Sequence, residues 1–182
     1  VFVEKSLYSR FRSEFLKRTK KLIVGNPKNE TSNLGAIVSK QHIENIFLKI
    51  EAAKKTGGRV ICGGERVFLD GDLSGGYYML PTIIENTKNT DDINQKEVFG
   101  PVATILPFSN EKEVVEMCND VDYGLSASIF CNNISRAHGV AASIDAGVIW
   151  VNTWLLRDLR IPFGGMKQSG FGREGGRYSL DF

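Results

Sequence analysis

The chain has 182 residues, with 42% apolar, 24% charged and 10% aromatic content; this is the balance of a globular protein and excludes disordered, collagen-like and low-complexity classes. Its 23 basic and 21 acidic residues leave a formal charge of +2, so bulk charge asks for neither nucleic acid nor an anionic membrane surface. No apolar run approaches the roughly 18 residues of a spanning helix and the first residues lack signal-peptide grammar, so the expectation is one soluble, cytoplasmic domain with a real core.

In chain order, Val1-Phe2-Val3 is β-prone and passes into a helical pattern with Leu7, Phe11, Phe15, Leu22 and Ile23 on one face. Residues 40–55 give the cleanest predicted helix, with Ile43, Ile46, Phe47 and Ile50 on one face and Gly57-Gly58 as its C-terminal stop. A short strand at Val60-Ile61-Cys62 follows, then a turn-rich loop over 70–76 and an extended segment from Tyr77 to Ile84 broken by Pro81. Val102 to Phe108 reads as a buried strand, and Asn110 with Glu113 is a capping signature for a helix carrying Val114, Val115, Met117 and Cys118. Leu125 to Cys131 is strand-like, residues 133–144 place Ile134, Ala137, Ala141 and Ile144 on a helical face, and Gly147 to Val151 is a further strand. Apolar strands alternating with amphipathic helices predict an α/β fold, a mostly parallel sheet with helices on both faces.

Several motifs have plain structural readings. Gly170-Phe171-Gly172-Arg173-Glu174-Gly175 matches the dinucleotide fingerprint literally, but no strand leads directly into it and no acidic residue trails it at the right distance, so these glycines read as loop geometry. Arg10, Arg12, Lys17, Arg18, Lys20 and Lys21 read as a solvated helix face. His42 and His138 have no metal-ligand partners at suitable spacing, and Cys62, Cys118 and Cys131 form neither a C-x-x-C pair nor an even set, so neither a metal site nor a disulfide framework is expected.

Two stretches carry more chemistry. Glu97-Val98-Phe99-Gly100-Pro101 puts an acid and an aromatic on a turn before a strand, where α/β proteins bind ligands; an ordinary turn is the competing reading. In Trp150 to Gly165, Arg157 and Arg160 stand among large apolar residues, an expensive placement unless something anionic meets them. Asp158 accounts for one, which leaves the other for a carboxylate-bearing ligand.

At these residues the chain resembles the aldehyde dehydrogenase superfamily. The resemblance rests on Glu97 to Pro101, Tyr123-Gly124-Leu125-Ser126-Ala127, Gly147 to Asn152, Pro162-Phe163-Gly164-Gly165-Met166-Lys167-Gln168-Ser169-Gly170 and Gly172-Arg173-Glu174, a specific set that spans the chain in family order. Within the family, Trp154 to Arg160 looks most like the 2-hydroxymuconic and 2-aminomuconic semialdehyde dehydrogenases, whose substrates carry a carboxylate remote from the aldehyde.

The resemblance implies an NAD-dependent oxidation, with NADP as the alternative cofactor. A cysteine thiolate attacks the aldehyde, the thiohemiacetal gives up hydride, and a glutamate-activated water hydrolyses the thioester. It also implies that residues 1–182 are a portion of the catalytic domain. The nucleophilic cysteine, general-base glutamate, oxyanion asparagine and cofactor-binding domain then lie upstream of Val1, and no catalytic residue is assigned within this chain. The chain alone is accordingly expected to be inactive. By the same resemblance Glu97 accepts hydrogen bonds from the nicotinamide ribose, Phe99 packs on the nicotinamide, Leu125 lies near its carboxamide or packs in the core, and His42 approaches the cofactor. Arg157 is assigned to the substrate carboxylate, with Arg160 as its substitute and Trp154 and Phe163 as an apolar wall. A homo-oligomer is implied for the complete protein; a non-catalytic binding or interaction module is the competing class.

Overall fold

The protein is described by a computed structural model, which covers residues 1–181. Its contacts divide into two compact units, Val1–Ser109 and a second beginning at Asn110, where length alone suggests one domain.

The first unit is built on β1 (Phe2–Glu4), α1 (Lys5–Thr19), α2 (Lys40–Lys55), β2 (Arg59–Cys62), β3 (Arg66–Val67), β4 (Tyr78–Met79), β5 (Thr82–Glu85), the short α3 (Asp92–Gln95) and β6 (Val102–Phe108). Four strands form a sheet in the order β1-β6-β5-β2. β1 and β5 both run parallel to β6, whereas β2 runs antiparallel to β5 with an irregularity between Val60 and Cys62. Consecutive strand residues face opposite sides, so Ile83 meets α1 through Tyr8, Phe11, Phe15 and Leu16, while Ile84 meets α2 through Ile43, Ile46, Ile50 and Ala53. The sheet is therefore mostly parallel with a helix on each face, as the alternating pattern predicts. Ile43, Ile46 and Ile50 are at most 1% exposed, and each such burial stabilises by about 1.5–3 kcal/mol.

Helix limits follow local chemistry. The Ser39 hydroxyl accepts from the His42 amide at 3.2 Å, and Gly57 at φ +106° lies just past the C-cap Thr56, a left-handed conformation that glycine enters freely. α1 is shorter than its pattern suggests. It stops at Thr19, so Leu22 and Ile23 lie beyond it and are 41% and 51% exposed, as is Leu7 at 54%. The backbone of Ile23 is instead engaged by Asn33 and Leu34. Nor is the basic cluster wholly a solvated face, because Arg12 turns inward to Glu85.

The second unit contains α4 (Glu111–Asn119), β7 (Tyr123–Gly124), β8 (Ser126–Ile129), α5 (Ile134–Ser143), β9 (Val148–Val151) and β10 (Met166–Lys167). β8 and β9 pair in parallel, and β10 returns antiparallel to β7. The Asn110 side chain accepts from the Glu113 amide at 2.9 Å and Asn133 caps α5 in the same way at 3.0 Å. Asn110→Ala is expected to cost about 1 kcal/mol, read as a lower urea midpoint with unchanged slope; an unchanged midpoint would contradict the cap's contribution. On α5 it is Ala137 that is buried, whereas Ile134, in the first turn, is 56% exposed. Gly170 and Gly175 have φ values of +104° and +105°, the loop geometry expected of them. Gly147 has a different constraint: a Cβ there would lie 1.6 Å from the Gly164 carbonyl oxygen, so only glycine lets β9 begin against that loop.

Candidate functional site

In the first unit, the turn between α3 and β6 carries Glu97 and Phe99. Val98 packs against the α2-side core, which anchors the turn between its two exposed neighbours. Phe99 holds φ +53° and is 70% exposed. An aromatic residue in this left-handed region costs about 1–3 kcal/mol, and burial of its own ring does not offset that cost. The backbone is held from α2: His42 Nε2 lies 2.8 Å from the Phe99 carbonyl oxygen, and Lys49 Nζ donates to the Glu97 carbonyl oxygen. The His42 ring also meets the Phe99 ring edge-on at 5.8 Å. The exposed Glu97 carboxylate has no hydrogen-bond or ion-pair partner among the described residues. The turn therefore offers an uncommitted anionic acceptor and an accessible aromatic face.

In the second unit, Arg157 lies over the Phe163 ring at 4.0 Å and donates from Nη2 to Glu174 Oε1 at 2.7 Å. Glu174 is fixed in turn by reciprocal backbone hydrogen bonds with Phe163, at 2.7 and 2.9 Å. Asp158 takes the other arginine: its carboxylate accepts from Arg160 Nε at 2.9 and 3.1 Å and also from Arg160 Nη2. That pairing holds the Asp158 carboxyl below its ordinary value and raises the Arg160 guanidinium. The expectation that Asp158 would leave one arginine free is thus corrected, since Glu174 engages Arg157. The two arginines are not equivalent. Arg157 is 34% exposed with one donor on a carboxylate, whereas Arg160 is 88% exposed with its Nε–Nη2 edge on Asp158.

Beside this cluster lies an open depression of about 470 Å³ lined by Leu125, Phe163, Gly164, Gly165, Ser169, Gly170, Gly172, Arg173 and Glu174. Leu125 is 46% exposed there, so it is a wall residue rather than part of the core. Trp154 is 60% exposed and meets Trp150 edge-on at 5.3 Å, while Trp150 Nε1 donates to the Leu156 carbonyl. The three cysteines are free and partly buried, and burial pushes the Cys118 thiol above its ordinary value, away from nucleophilic character. Among the described residues no helix is long and apolar enough to cross a membrane and no group of three or more His, Cys, Asp or Glu could hold a metal ion.

The profile of the Aldehyde dehydrogenase family matches residues 1–182. The chain belongs to this family. It is 43% identical over 183 residues to a 4-trimethylaminobutyraldehyde dehydrogenase of Oryzias latipes, covering 100% of this chain and 36% of the relative. It is 41% identical over 184 residues to a 2-aminomuconic semialdehyde dehydrogenase of Homo sapiens, covering 100% and 38%. Among solved structures, HpcC of Thermus thermophilus superposes with a TM-score of 0.94 at 38% identity, over 100% of this chain and 36% of that one. The betaine aldehyde dehydrogenase of Staphylococcus aureus, solved in complex with NAD+, gives 0.92 at 34% identity, over 99% and 36%. The chain therefore spans little more than a third of the length of these aldehyde dehydrogenases.

Three participants were not singled out from sequence. Glu174 lies 17 residues from Arg157, and no local spacing links them. Lys49 carried a usable signal, because it follows His42 by seven positions on one predicted helix and so shares its face. The third, Glu85, joins Arg12 and Arg59 across three elements.

Proposed function

We propose that this chain contributes the nicotinamide-orienting turn and a substrate-carboxylate site to an NAD(P)-dependent aldehyde dehydrogenase that oxidises a muconic-semialdehyde-type substrate. The observation that carries the reading is the Glu97–Phe99 turn, where an uncommitted carboxylate and an exposed ring are presented on a left-handed backbone. Those features fit a nicotinamide riboside: hydroxyl donors need an acceptor, and a flat ring needs an apolar face. When bound, the dinucleotide supplies the hydride acceptor. Glu97 accepts hydrogen bonds from the ribose and Phe99 confines the nicotinamide face, so these residues orient rather than react.

For the substrate, Arg157 is favoured over Arg160. Its side chain is the less exposed of the two, it lies over the Phe163 ring, its Nη2 is held by Glu174, and its remaining donors are available to a carboxylate. Trp154 and Phe163 supply apolar surface nearby in sequence and chemistry. The reading includes a homo-oligomeric, cytoplasmic enzyme in which residues 1–182 form part of the catalytic domain. It also includes inactivity of these 182 residues alone, supported by three partly buried cysteines, of which Cys118 has its thiol pushed above the ordinary value by burial.

Glu97→Ala in the native polypeptide is expected to weaken NAD binding about tenfold, the size of a charge-assisted hydrogen bond, while leaving the KM for the aldehyde nearly unchanged. Titration calorimetry with NAD checks this, and parental affinity in the variant would sink the assignment. Residues 1–182 expressed alone should produce no NADH from NAD and an aldehyde; turnover would contradict the division of labour.

A further inference from the structure

We infer that Lys49 is a positioning residue for the Glu97–Phe99 turn, acting with His42 from one face of α2. The inference rests on the nicotinamide role proposed for that turn. His42, Ile46 and Lys49 are spaced four and then three residues apart, which places them on one side of the helix. All three meet the same turn. His42 Nε2 lies 2.8 Å from the Phe99 carbonyl oxygen, and Lys49 Nζ donates to the Glu97 carbonyl oxygen. Between them Ile46, fully buried, closes on Gly100, where a Cβ would fall 2.6 Å from Ile46 Cδ1.

Lys49 has no acidic partner among the described residues; its ammonium is directed at a peptide oxygen. With the carbonyls of Glu97 and Phe99 engaged by α2, the Glu97–Val98 and Phe99–Gly100 peptide planes are fixed at the two ends of the Val98-Phe99 pair, and the side chains of Glu97 and Phe99 remain exposed. The ammonium thus acts on the cofactor through the backbone of Glu97 and need not touch it.

The test uses Lys49→Met, Lys49→Arg and Glu97→Ala in the native polypeptide, with NAD binding by calorimetry, Tm, and amide hydrogen exchange at Phe99 and Gly100 as readouts. Lys49→Met is expected to weaken NAD binding about fivefold to tenfold, to speed exchange at the turn and to leave Tm within about 3 °C. Lys49→Arg, which keeps a donor, should recover most of the affinity. Parental NAD binding in Lys49→Met beside weakened binding in Glu97→Ala overturns the positioning role alone. Parental binding in Glu97→Ala overturns the nicotinamide reading and the role built on it. A loss of Tm in Lys49→Met without faster turn exchange, unrepaired by Lys49→Arg, assigns Lys49 to stability and also overturns the inference.

Discussion

Glu85→Ala is expected to destabilise the fold by about 3 kcal/mol, the low end of what breaking a buried ion pair costs. Glu85 is 3% exposed in the central strand β5, and its carboxylate is shared by two arginines from different elements. Arg12, from α1, donates through Nε and, at 3.2 Å, through Nη2; Arg59, from β2, donates through Nε at 2.8 Å and through Nη2. Removing the carboxylate leaves two guanidinium groups facing each other without their shared anion. Arg59 is 63% exposed and can turn to water, but Arg12 is only 30% exposed, which places the expected cost at the lower end. Urea unfolding measures it, and a loss below about 1 kcal/mol would show that the cluster is no more than a surface pair.

The same cluster sets an acid limit. Hydrogen bonding from Arg12, followed by Arg59, holds the Glu85 carboxyl below its ordinary value of 4.5 against the opposing effect of burial. A carboxyl with a depressed folded-state pKa contributes stability that is complete above its unfolded value and is lost as pH falls through the folded one. Stability should therefore decline below about pH 4.5, and Glu85→Gln should flatten that decline. Burial, and then the charge of Glu85, push the neighbouring Tyr8 hydroxyl above its ordinary value, so Tyr8 stays neutral throughout this range.

Arg157→Ala should lower kcat/KM for a carboxylate-bearing semialdehyde by about tenfold to a hundredfold, the equivalent of a charge-assisted hydrogen bond worth about 1.5–3 kcal/mol. The variant removes the guanidinium and leaves Glu174, its present partner, as an unpaired negative charge, which opposes an anionic substrate further. An uncharged aldehyde should be affected less than about threefold, because it draws on neither charge. Glu174→Gln separates the two contributions: it keeps an acceptor for Arg157 but removes the negative charge, so it should retain or improve turnover of the anion. Equal losses for charged and uncharged aldehydes in Arg157→Ala would remove Arg157 from substrate recognition.

Where apolar period and capping residues agreed, the fold could be read from sequence. α2 shows both, with its isoleucine stripe buried and Gly57 beyond its end, and Asn110 marks the start of α4. α1 shows why period alone overreaches: Leu22 and Ile23 continue its pattern numerically, but the chain has already left the helix at Thr19. β10 was not legible because Met166–Lys167 is two residues long and pairs with a strand more than 40 positions away. At the candidate site, the family motif located Glu97 and Phe99, while their exposure and the left-handed backbone of Phe99 came only from the structure. The pairing of Arg157 with Glu174 was hidden for a related reason: reciprocal backbone hydrogen bonds between Phe163 and Glu174 bring distant sequence together.

NADH formation by the native polypeptide on 2-aminomuconic semialdehyde and on 4-trimethylaminobutyraldehyde, compared as kcat/KM, is the most direct measurement. The two aldehydes carry opposite charges at the end remote from the reacting group, and relatives named for each are similarly close to this chain, at 41% and 43% identity. A guanidinium stacked on Phe163 favours the anion and repels the quaternary ammonium. The account predicts NAD-dependent turnover with the muconic semialdehyde preferred by at least about tenfold. Absence of NADH with either aldehyde, or preference for the trimethylammonium substrate, would contradict it.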